Sequence, residues 1–449
     1  MGRNRDGPVV RNRDDLVGET TSARDAVSDL ALDCVEAGIR AANPREVARE
    51  AVGVEEETLT VADEAYDLDA YEEIVVLGGG KAAVGIAAAL EDALGERIDR
   101  GVVVSDDVGR LDPDRVEIYE GDHPVPSERG VEGARRVLDR ADAADKETLV
   151  LAIVTGGGSA LLPAPAEGLS LADLRATTEA LLASGGTIGE MNAVRKHCSA
   201  IKGGRLAERA APATVVGLAV SDVVGDDLAT VASGPLSPDD STFGDAIAVL
   251  DRYGIDAPRA VRERLTDGSN GAIAETPTAG DPAFDGVSVH VVASATTALD
   301  AAAETARESG YDPLVLSSRI RGEAREAAKT HAAVAEEILT TGNPVETPAV
   351  VLSGGETTVT VRGDGEGGPN LEFALAWALD LDPDLGGDSD HDPDDRPPVA
   401  LASVDTDGRD GGTEVAGALV DDRTVREIVQ SANSEADCGA GDAADSAAS

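Results

Sequence analysis

Short apolar runs recur along the chain and alternate with longer stretches rich in alanine and charged residues. Four of these runs are residues 74–77, 101–104, 149–154 and 215–220. Continuous apolar runs of this length are typical of strands that are covered on both faces, and the stretches between them have helical spacing. The alternation predicts an α/β domain with a Rossmann-like parallel sheet and helices on both sides.

A second series of apolar runs begins near residue 286. The preceding segment, residues 256–285, is rich in glycine, proline, aspartate and threonine, which is typical of a linker. The runs of the second series are residues 287–292, 314–316, 349–352, 357–361 and 399–403. We therefore predict two domains, a Rossmann-like domain over residues 1–255 and a mixed α/β domain over residues 286–449.

The composition is strongly acidic. The 449 residues include 86 Asp and Glu against 38 Lys and Arg, and the formal net charge is -48. Aspartates also dominate residues 380–398, where we predict a solvated loop. An acidic surface with few lysines suits a cytosol of molar salt, because salt screens the repulsion between carboxylates. We expect a halophilic protein that binds neither nucleic acid nor anionic membranes.

The remaining composition bears on compartment. Three scattered cysteines, Cys34, Cys198 and Cys438, form neither a disulfide framework nor a zinc motif. No apolar stretch reaches the roughly 18 residues of a membrane helix, and the charged start of the chain lacks a signal-peptide core. We expect a soluble cytoplasmic protein.

A glycine turn directly follows the first apolar run and consists of Gly78, Gly79, Gly80 and Lys81. Glycines at the end of a strand let backbone NH groups approach an anion, and lysine adds a mobile positive charge. Only five lysines occur in the chain, so a lysine at this position favours a phosphate-binding role. The alternatives are a dinucleotide-binding turn, whose fingerprint the segment fits loosely, and a tight turn with an exposed lysine.

A second glycine turn follows the run 149–154 and consists of Thr155, Gly156, Gly157, Gly158 and Ser159. Three glycines between two hydroxyl groups suit an anion-binding nest, so we predict a second phosphate site, with Ser159 as a candidate contact to substrate. A flexible turn is the alternative. The serine does not lie in a G-x-S-x-G elbow, and a hydrolase nucleophile is not favoured.

A dense positive segment covers residues 192–205. Its candidates for binding a phosphate or carboxylate are Arg195, Lys196 and Lys202. On a helix, spacings of four and three residues would place Arg195, Ser199 and Lys202 on one face. The alternative is that these cations only balance neighbouring carboxylates.

Two aspartates follow the run 215–220. Asp222 comes directly after the predicted strand, and Asp226 comes four residues later. Carboxylates at the C-terminal end of a parallel strand can hold Mg²⁺ or accept a proton from a substrate hydroxyl. In so acidic a chain, surface exposure is the alternative for any single aspartate. We predict a catalytic and metal-binding role for Asp222, with Asp226 as a second metal candidate.

The second series contains another glycine segment, made of Ser353, Gly354, Gly355 and Glu356. It repeats the arrangement of a strand followed by glycines, and we predict that it contacts the ligand from the opposite side. Ordinary turn chemistry is the alternative. His123, which precedes Pro124, is expected to be a loop or packing histidine rather than a base.

Taken together, these segments resemble the glycerate kinases whose C-terminal part is called the MOFRL domain. The resemblance runs from about residue 25 to about residue 421. It is carried by eight segments in the family's order: residues 78–82, 123–126, 155–160, 192–197, 202–206, 221–226, 233–235 and 353–357. An ordered set of this size makes the resemblance specific.

The resemblance implies ATP-dependent, Mg²⁺-assisted phosphorylation of D-glycerate, commonly to 2-phosphoglycerate, in a cleft between two domains. It implies that Lys81 neutralises charge on the transferred phosphoryl group and that Asp222 orients Mg²⁺ or accepts the hydroxyl proton. The predicted holders of the glycerate carboxylate are Arg195, Lys196 and Lys202. The three glycine segments are implied to bind the nucleotide.

Three questions stay open at this stage. Some relatives are labelled hydroxypyruvate reductase, so an NAD(P)-dependent reductase is one alternative. A catalytically impaired ligand-binding relative is another, and a homodimer is left open as the assembly.

Two segments depart from the family pattern. Where the family has Gly-Gly-Arg-Asn-Gln-Glu, this chain has Gly367-Gly368-Pro369-Asn370-Leu371-Glu372, and so lacks a cation and an amide. The family also continues to a Gly-Pro-Thr-Gly-Thr-Asn turn and a final strand, whereas this chain has the small polar run 432–449. We expect the C-terminal segment of the second domain to be incomplete.

Overall fold

The chain divides into two compact units. The computed structural model describes residues 9–17, 22–109, 111, 113–223, 225–363, 365–382 and 397–424. Residues Asn43–Ser294 form one unit, called here the central unit. Residues Met1–Ala42 and Ala295–Ser449 together form the other, called here the terminal unit.

Strands and helices alternate through both units. The described residues form thirteen strands: β1 (Val52–Glu55), β2 (Thr58–Val61), β3 (Glu64–Asp67), β4 (Glu73–Gly79), β5 (Arg100–Ser105), β6 (Val116–Glu120), β7 (Thr148–Thr155), β8 (Thr214–Val220), β9 (Val287–Ala293), β10 (Asp312–Glu323), β11 (Ala349–Thr358), β12 (Ala400–Val404) and β13 (Gly417–Asp421). They also form fourteen α-helices: α1 (Arg13–Val17), α2 (Ala23–Ala41), α3 (Pro44–Ala51), α4 (Ala83–Leu94), α5 (Glu128–Ala141), α6 (Gly158–Leu161), α7 (Leu171–Ser184), α8 (Ile188–His197), α9 (Arg205–Ala210), α10 (Phe243–Arg252), α11 (Arg259–Ser269), α12 (Ala295–Glu308), α13 (Ala324–Thr341) and α14 (Pro369–Asp380).

The central unit is built on a six-stranded parallel sheet in the order β6-β5-β4-β7-β8-β9. The four apolar runs predicted as strands are β4, β5, β7 and β8, so the predicted parallel sheet is confirmed. From β4 the chain proceeds outward to β5 and β6, and it then returns to β7 on the other side of β4. This reversal makes the carboxyl ends of β4 and β7 a topological switch point, where open α/β sheets bind their ligands.

Two apolar layers cover the faces of this sheet. One layer packs α5 and α9 against the strands, and the other packs α3, α4 and strands β1 and β2 against the opposite face. Within β4 the side chains alternate between the layers, with Val75 and Leu77 in the first and Ile74 and Val76 in the second. Burial on both faces explains why the strands are continuously apolar.

The domain boundaries differ from the prediction. Strand β9, predicted to open the second domain, instead pairs with β8 at the edge of the central sheet. The predicted linker 256–285 contains α11, whose Val261 and Leu265 are fully buried against α10. Glycine and proline in this segment therefore mark turns around a packed helix and not a linker. Helix α2 belongs with the C-terminal part of the chain, in the terminal unit.

The terminal unit contains two small sheets, a parallel pair β10-β11 and an antiparallel pair β12-β13. Alanines along one face of α13 pack against Phe373 and Trp377 of α14. The predicted loop 380–398 lies mostly outside the described residues, and the run 432–449 lies wholly outside them. Among the described residues, no helix combines the length and apolar character required to cross a bilayer.

Candidate active site

The turn that carries Lys81 lies at the carboxyl end of β4, and its backbone amides are already bonded within the protein. The NH group of Gly80 donates to Val104 O (3.0 Å) and that of Lys81 to Gly156 O (2.9 Å). The NH group of Ala82 donates to Thr155 Oγ1 at 3.2 Å. The structure therefore does not support a phosphate contact of this turn through these three NH groups. The turn presents its positive charge to solvent through the exposed Lys81 side chain.

The glycines of this turn are required by close packing between strands. A side chain at Gly78, where φ is 137°, would overlap the carbonyl of Ile153. At Gly80, where φ is 133°, it would overlap Thr155. A Cβ atom at Gly79 would lie 2.7 Å from Val104 O. In a dinucleotide fingerprint one glycine is reserved for the approach of the pyrophosphate, whereas all three glycines here face protein atoms.

The second glycine turn, at the carboxyl end of β7, has the opposite character. Within the part of the chain that the structure describes, the NH groups of Gly157, Gly158 and Ser159 have no hydrogen-bond acceptor. Gly157 adopts a φ of 77°, a conformation that favours glycine. Successive amides in such a turn form a nest that suits an anion. The geometry agrees with the predicted anion nest at this turn.

Three side chains surround this second turn. A Cβ atom at Gly157 would lie 3.0 Å from Lys81 Cγ and 3.3 Å from His123 Cδ2. A Cβ atom at Gly156 would overlap the carboxyl group of Asp222. The glycines therefore leave room for a lysine, a histidine and an aspartate around one turn. His123 lies in a loop, as one of the two expectations for it had it, and it is exposed near Lys81. Its place in the ordered family segments was the available signal.

The side chain of Asp222 is exposed, yet the pKa of its carboxyl group is raised. Burial by the surrounding protein raises the pKa of its carboxyl group, and the nearby charges of Lys81 and His123 oppose that rise. An accessible carboxylate with a raised pKa beside a lysine can accept a proton or contact a cation. Asp226 is half-buried with a φ of 55°.

Asp222 and Asp226 are the carboxylates predicted to bind Mg²⁺. In residues 9–424, apart from those the structure leaves undescribed, no three Asp, Glu, His or Cys side chains assemble into a metal site. A nucleotide-bound Mg²⁺ usually takes only one or two protein carboxylates, because phosphates and water supply the other ligands. Asp222 fits that requirement.

The positive segment 192–205 is not one continuous helix. Helix α8 ends at His197, and Ser199 Oγ accepts hydrogen bonds from the NH groups of Ile201 (3.2 Å) and Lys202 (3.3 Å). These bonds form a turn that leads to Gly203, where φ is 60°. The prediction that Arg195, Ser199 and Lys202 share a helix face is therefore wrong, because a side-chain acceptor stops the helix.

Arg195 and Lys202 nevertheless lie within electrostatic reach of each other. Burial, together with the charge of Arg195, lowers the pKa of Lys202 to about 7. The Lys202 ammonium donates to Leu162 O at 3.4 Å, and its side chain is almost completely buried. Burial also lowers the pKa of Arg195. Among the described residues neither cation has a carboxylate partner, so the pair forms a candidate anion site.

Lys196 has a different environment. Its Nζ lies 3.0 Å from Asp239 Oδ1, and both side chains are buried. Asp239 also accepts hydrogen bonds from Ser241 and Thr276. The structure therefore gives Lys196 a structural partner and does not support its predicted contact with substrate.

A hydrogen-bond chain that the sequence did not reveal begins at Ser159. The hydroxyl oxygens of Ser159 and Ser233 lie 2.5 Å apart, and Ser233 donates to Asn192 Oδ1 at 3.0 Å. Ser233 and Ala232 both adopt positive φ angles, 64° and 49°. Such strained backbone persists only where the surroundings fix it, and it concentrates at functional sites. Asn192 and Ser233 both lie in family segments, which was the only signal for them.

In the terminal unit, Ser353 to Glu356 lie inside β11 and not in a turn after a strand. The pairing of β10 with β11 is irregular there, and a side chain at Gly355 would overlap the backbone of Ile320. Ser353 Oγ lies 2.8 Å from Nε2 of His331, whose Nδ1 lies 2.8 Å from Ala327 O. The contact of this segment with a nucleotide stays a prediction.

The altered segment 367–372 begins helix α14. Pro369 occupies the first turn, where its missing NH group costs nothing. The buried carboxylate of Asp410 accepts from the backbone NH groups of Asn370 (2.9 Å) and Leu371 (2.8 Å). Asp410 therefore caps helix α14, which begins inside the altered segment.

Comparison with known proteins identifies the family. The model described as "Domain of unknown function (DUF4147)" matches residues 30–266, which is more than half of the chain. The MOFRL family model matches residues 349–446. The chain belongs to the DUF4147–MOFRL family. The resemblance predicted from the ordered segments is thereby confirmed.

Several members of the DUF4147–MOFRL family have names. D-glycerate 2-kinase of Thermotoga maritima is 39% identical over 80% of this chain and 80% of its own length. Glycerate 2-kinase of Pyrococcus horikoshii is 35% identical over 90% and 87%. A protein of Agrobacterium vitis named putative hydroxypyruvate reductase is 42% identical over 77% and 75%. The crystal structure of glycerate kinase from Thermotoga maritima matches with a TM-score of 0.74 and 36% identity, covering 90% of this chain and 88% of that one.

Proposed function

We propose that this chain transfers the γ-phosphoryl group of ATP to D-glycerate and forms 2-phosphoglycerate. The observation that carries the proposal is the grouping of Lys81 and Asp222 around the glycine turn at the switch point of the sheet. Phosphoryl transfer requires mainly positioning and charge neutralisation, which these groups supply. The names of the relatives in Thermotoga maritima and Pyrococcus horikoshii support the same activity.

The phosphoryl group is bound from two sides in this proposal. The NH groups of Gly157, Gly158 and Ser159 bind its oxygens, and the Lys81 ammonium neutralises the charge that develops during transfer. The amides belong to the backbone of the turn, whereas the lysine contact is made by an exposed side chain. The nucleotide contacts predicted for Gly78, Gly79 and Gly80 are not part of the proposal, because those glycines pack against β5 and β7.

In this proposal Asp222 accepts the proton that the attacking hydroxyl loses. Its raised pKa increases the affinity of the carboxylate for a proton. Mg²⁺ bound with ATP supplies further neutralisation of phosphate charge, and Asp222, with Asp226 as the second candidate, would hold it.

Arg195 and Lys202 hold the glycerate carboxylate. A buried lysine and a half-buried arginine without a carboxylate partner among the described residues are costly to the folded protein, and an anionic substrate offsets that cost. Lys196 is left out of the substrate site because Asp239 already pairs with it. We further propose that Ser353, Gly354, Gly355 and Glu356 contact the nucleotide and that the protein works in the cytoplasm.

The deciding experiment measures phosphoglycerate formed from D-glycerate, ATP and Mg²⁺ in molar KCl, with 2- and 3-phosphoglycerate resolved. Lys81→Ala should lower kcat by at least about a hundredfold, the usual cost of one charge-stabilising group. Lys146→Ala is the matched control, because Lys146 is 78% exposed and, among the described residues, pairs only with its neighbour Glu147. A folded Lys81→Ala protein with the kcat of the control would remove Lys81 from the mechanism.

A parallel assay with NADH and hydroxypyruvate tests the reductase alternative. Oxidation of NADH without phosphoglycerate formation would replace the proposed kinase by a reductase. Nucleotide binding without turnover in either assay would favour the impaired ligand-binding relative.

A further inference from the structure

The hydrogen-bond chain from Ser159 to Asn192 has a direction. Ser233 has a single hydroxyl proton and donates it to Asn192 Oδ1. Since that proton is used, the short contact between Ser159 and Ser233 requires Ser159 to be the donor. The hydroxyl of Ser159 then has only lone pairs left for a ligand. It can accept a hydrogen bond from a ligand but cannot donate one to a phosphate.

The chain is held rigidly. Ser233 is completely buried and Asn192 nearly so. The left-handed backbone at Ala232 and Ser233 lies directly beneath the glycine turn, because a Cβ atom at Gly158 would lie 2.7 Å from Ala232 Cβ. The polarity of Ser159 is therefore fixed before any ligand binds.

We propose that Ser159 accepts a hydrogen bond from the 3-hydroxyl group of D-glycerate, with Ser233 and Asn192 as positioning residues that impose this polarity. The inference rests on the proposed kinase function and assigns the specificity of its substrate site. The assignment predicts that the site selects glycerate over a 2-hydroxy acid that has no second hydroxyl group.

The hydroxyl bound by Ser159 is the one that keeps its proton. The attacking hydroxyl has to transfer its proton to a base, and the chain from Ser159 ends in the neutral amide of Asn192, which takes up no proton. Asp222 is the carboxylate that lies against this glycine turn, because a Cβ atom at Gly156 would overlap its side chain. The 2-hydroxyl therefore belongs near Asp222 and the 3-hydroxyl near Ser159.

The location of Asn192 also fits a hydroxy acid. Asn192 and Arg195 are three residues apart on α8, so they are neighbours on its surface. The acceptor chain is thereby connected to the helix that carries one of the proposed carboxylate-binding cations. A hydroxyl site close to a carboxylate site is the pattern that a small hydroxy acid requires.

The test compares kcat/KM for D-glycerate with kcat/KM for D-lactate, which lacks the 3-hydroxyl group. Ser159→Ala should lower the ratio of the two values on the order of tenfold, the effect of one neutral hydrogen bond, by slowing glycerate and not lactate. Ser233→Ala should lower the ratio less, because Ser159 is then able to turn its proton outward. Asn192→Asp should keep the ratio, since its carboxylate still accepts from Ser233.

The outcomes separate the inference from the function on which it rests. Wild-type protein that makes no phosphoglycerate would overturn the proposed function itself. Active wild-type protein whose ratio is unchanged in folded Ser159→Ala and Ser233→Ala variants would overturn the inference alone. A ratio lost in Asn192→Asp would also overturn it, because the chain would then run in the reverse direction with Ser159 as a donor. Thermal unfolding checks that each variant is folded.

Discussion

The carboxyl group of Asp222 lies against Gly156 so closely that a methyl group on residue 156 would overlap it. The φ angle of Gly156 is one that alanine adopts without strain. The strain of Gly156→Ala therefore falls on Asp222 and not on the backbone. We expect a folded protein with kcat reduced about a hundredfold, the effect of displacing a reacting group by roughly 1 Å.

Gly189→Ala is the matched control for this change. Gly189 lies in α8, has no positive φ, and a Cβ atom there would meet no atom within 4 Å. Its kcat should equal that of the wild type. If Gly156→Ala has the same kcat as Gly189→Ala, the position of Asp222 does not matter to turnover.

Asp222→Asn should separate stability from activity. Because burial raises the pKa of Asp222, the folded protein retains this proton at a pH where the unfolded chain has lost it. The ionised carboxylate therefore costs stability, and the cost develops as the pH rises from the ordinary Asp pKa through the raised one. We expect Asp222→Asn to have the larger free energy of unfolding at neutral pH, with the difference vanishing in acid, while phosphoglycerate formation is lost.

Urea unfolding of both proteins at acidic and neutral pH measures this difference. The wild-type kcat/KM should fall as the pH decreases through the raised pKa, because the carboxylate becomes protonated. Equal stabilities of the two proteins at every pH would contradict the expected cost of ionised Asp222.

Binding of D-glycerate should be accompanied by proton uptake at pH 8. The pKa of Lys202 is lowered to about 7 by burial and by Arg195, so the unliganded lysine is mostly neutral at that pH. A carboxylate beside it raises the pKa again, and the lysine takes up a proton. Titration calorimetry in two buffers with different ionisation enthalpies measures the number of protons.

Lys202→Met should bind glycerate more weakly and without that uptake. The variant also gives a stability readout, because the unfolded chain holds the Lys202 proton up to about 10.5 while the folded protein has lost it above about 7. The wild type should therefore gain stability relative to Lys202→Met as the pH rises between these values. Identical proton uptake in both proteins would place the carboxylate elsewhere.

Lys196→Met should affect stability and not substrate binding. Burial alone would raise the pKa of Asp239, but Lys196 and Ser241 hold it below the ordinary value. Removing the ammonium leaves a buried carboxylate unpaired, at a cost of about 3–5 kcal/mol in the free energy of unfolding. The wild-type advantage should be lost as the pH falls through the lowered pKa of Asp239, where the carboxylate is neutralised.

Chemical denaturation and the KM for glycerate are the two measurements for this variant. Lys146→Met, at an exposed position, is the control. A large increase in KM without loss of stability would return Lys196 to the substrate site.

The sequence alone was enough to predict the strands that are buried on both faces of the sheet. Strands β4, β5, β7 and β8 could be predicted because burial on two faces leaves an uninterrupted apolar run. The proximity of Lys81 and Asp222 could be predicted because both follow such runs, and parallel strands present their carboxyl ends at one edge of the sheet. The short strands β1 to β3 were missed because four residues give too little pattern.

Other errors came from interactions that are distant in the sequence. Nothing near Lys196 indicates that Asp239, 43 residues later, is its partner. Strand β9 looked like the start of a new domain because its neighbour β8 lies more than 60 residues earlier in the chain. The two glycine turns looked equivalent, yet only the atoms around them decide which amides are already bonded.

That difference between the two turns has a consequence for how a phosphate would be bound. At Gly80, Lys81 and Ala82 the amides are bonded to β5 and to the turn after β7, so the backbone cannot adjust to a ligand. In the proposed kinase, the turn that carries Lys81 would therefore attract a charged product through the Lys81 side chain. In that kinase, amides held by the fold would thus set the position of the phosphate on one side, and a side chain alone would contact it from the other.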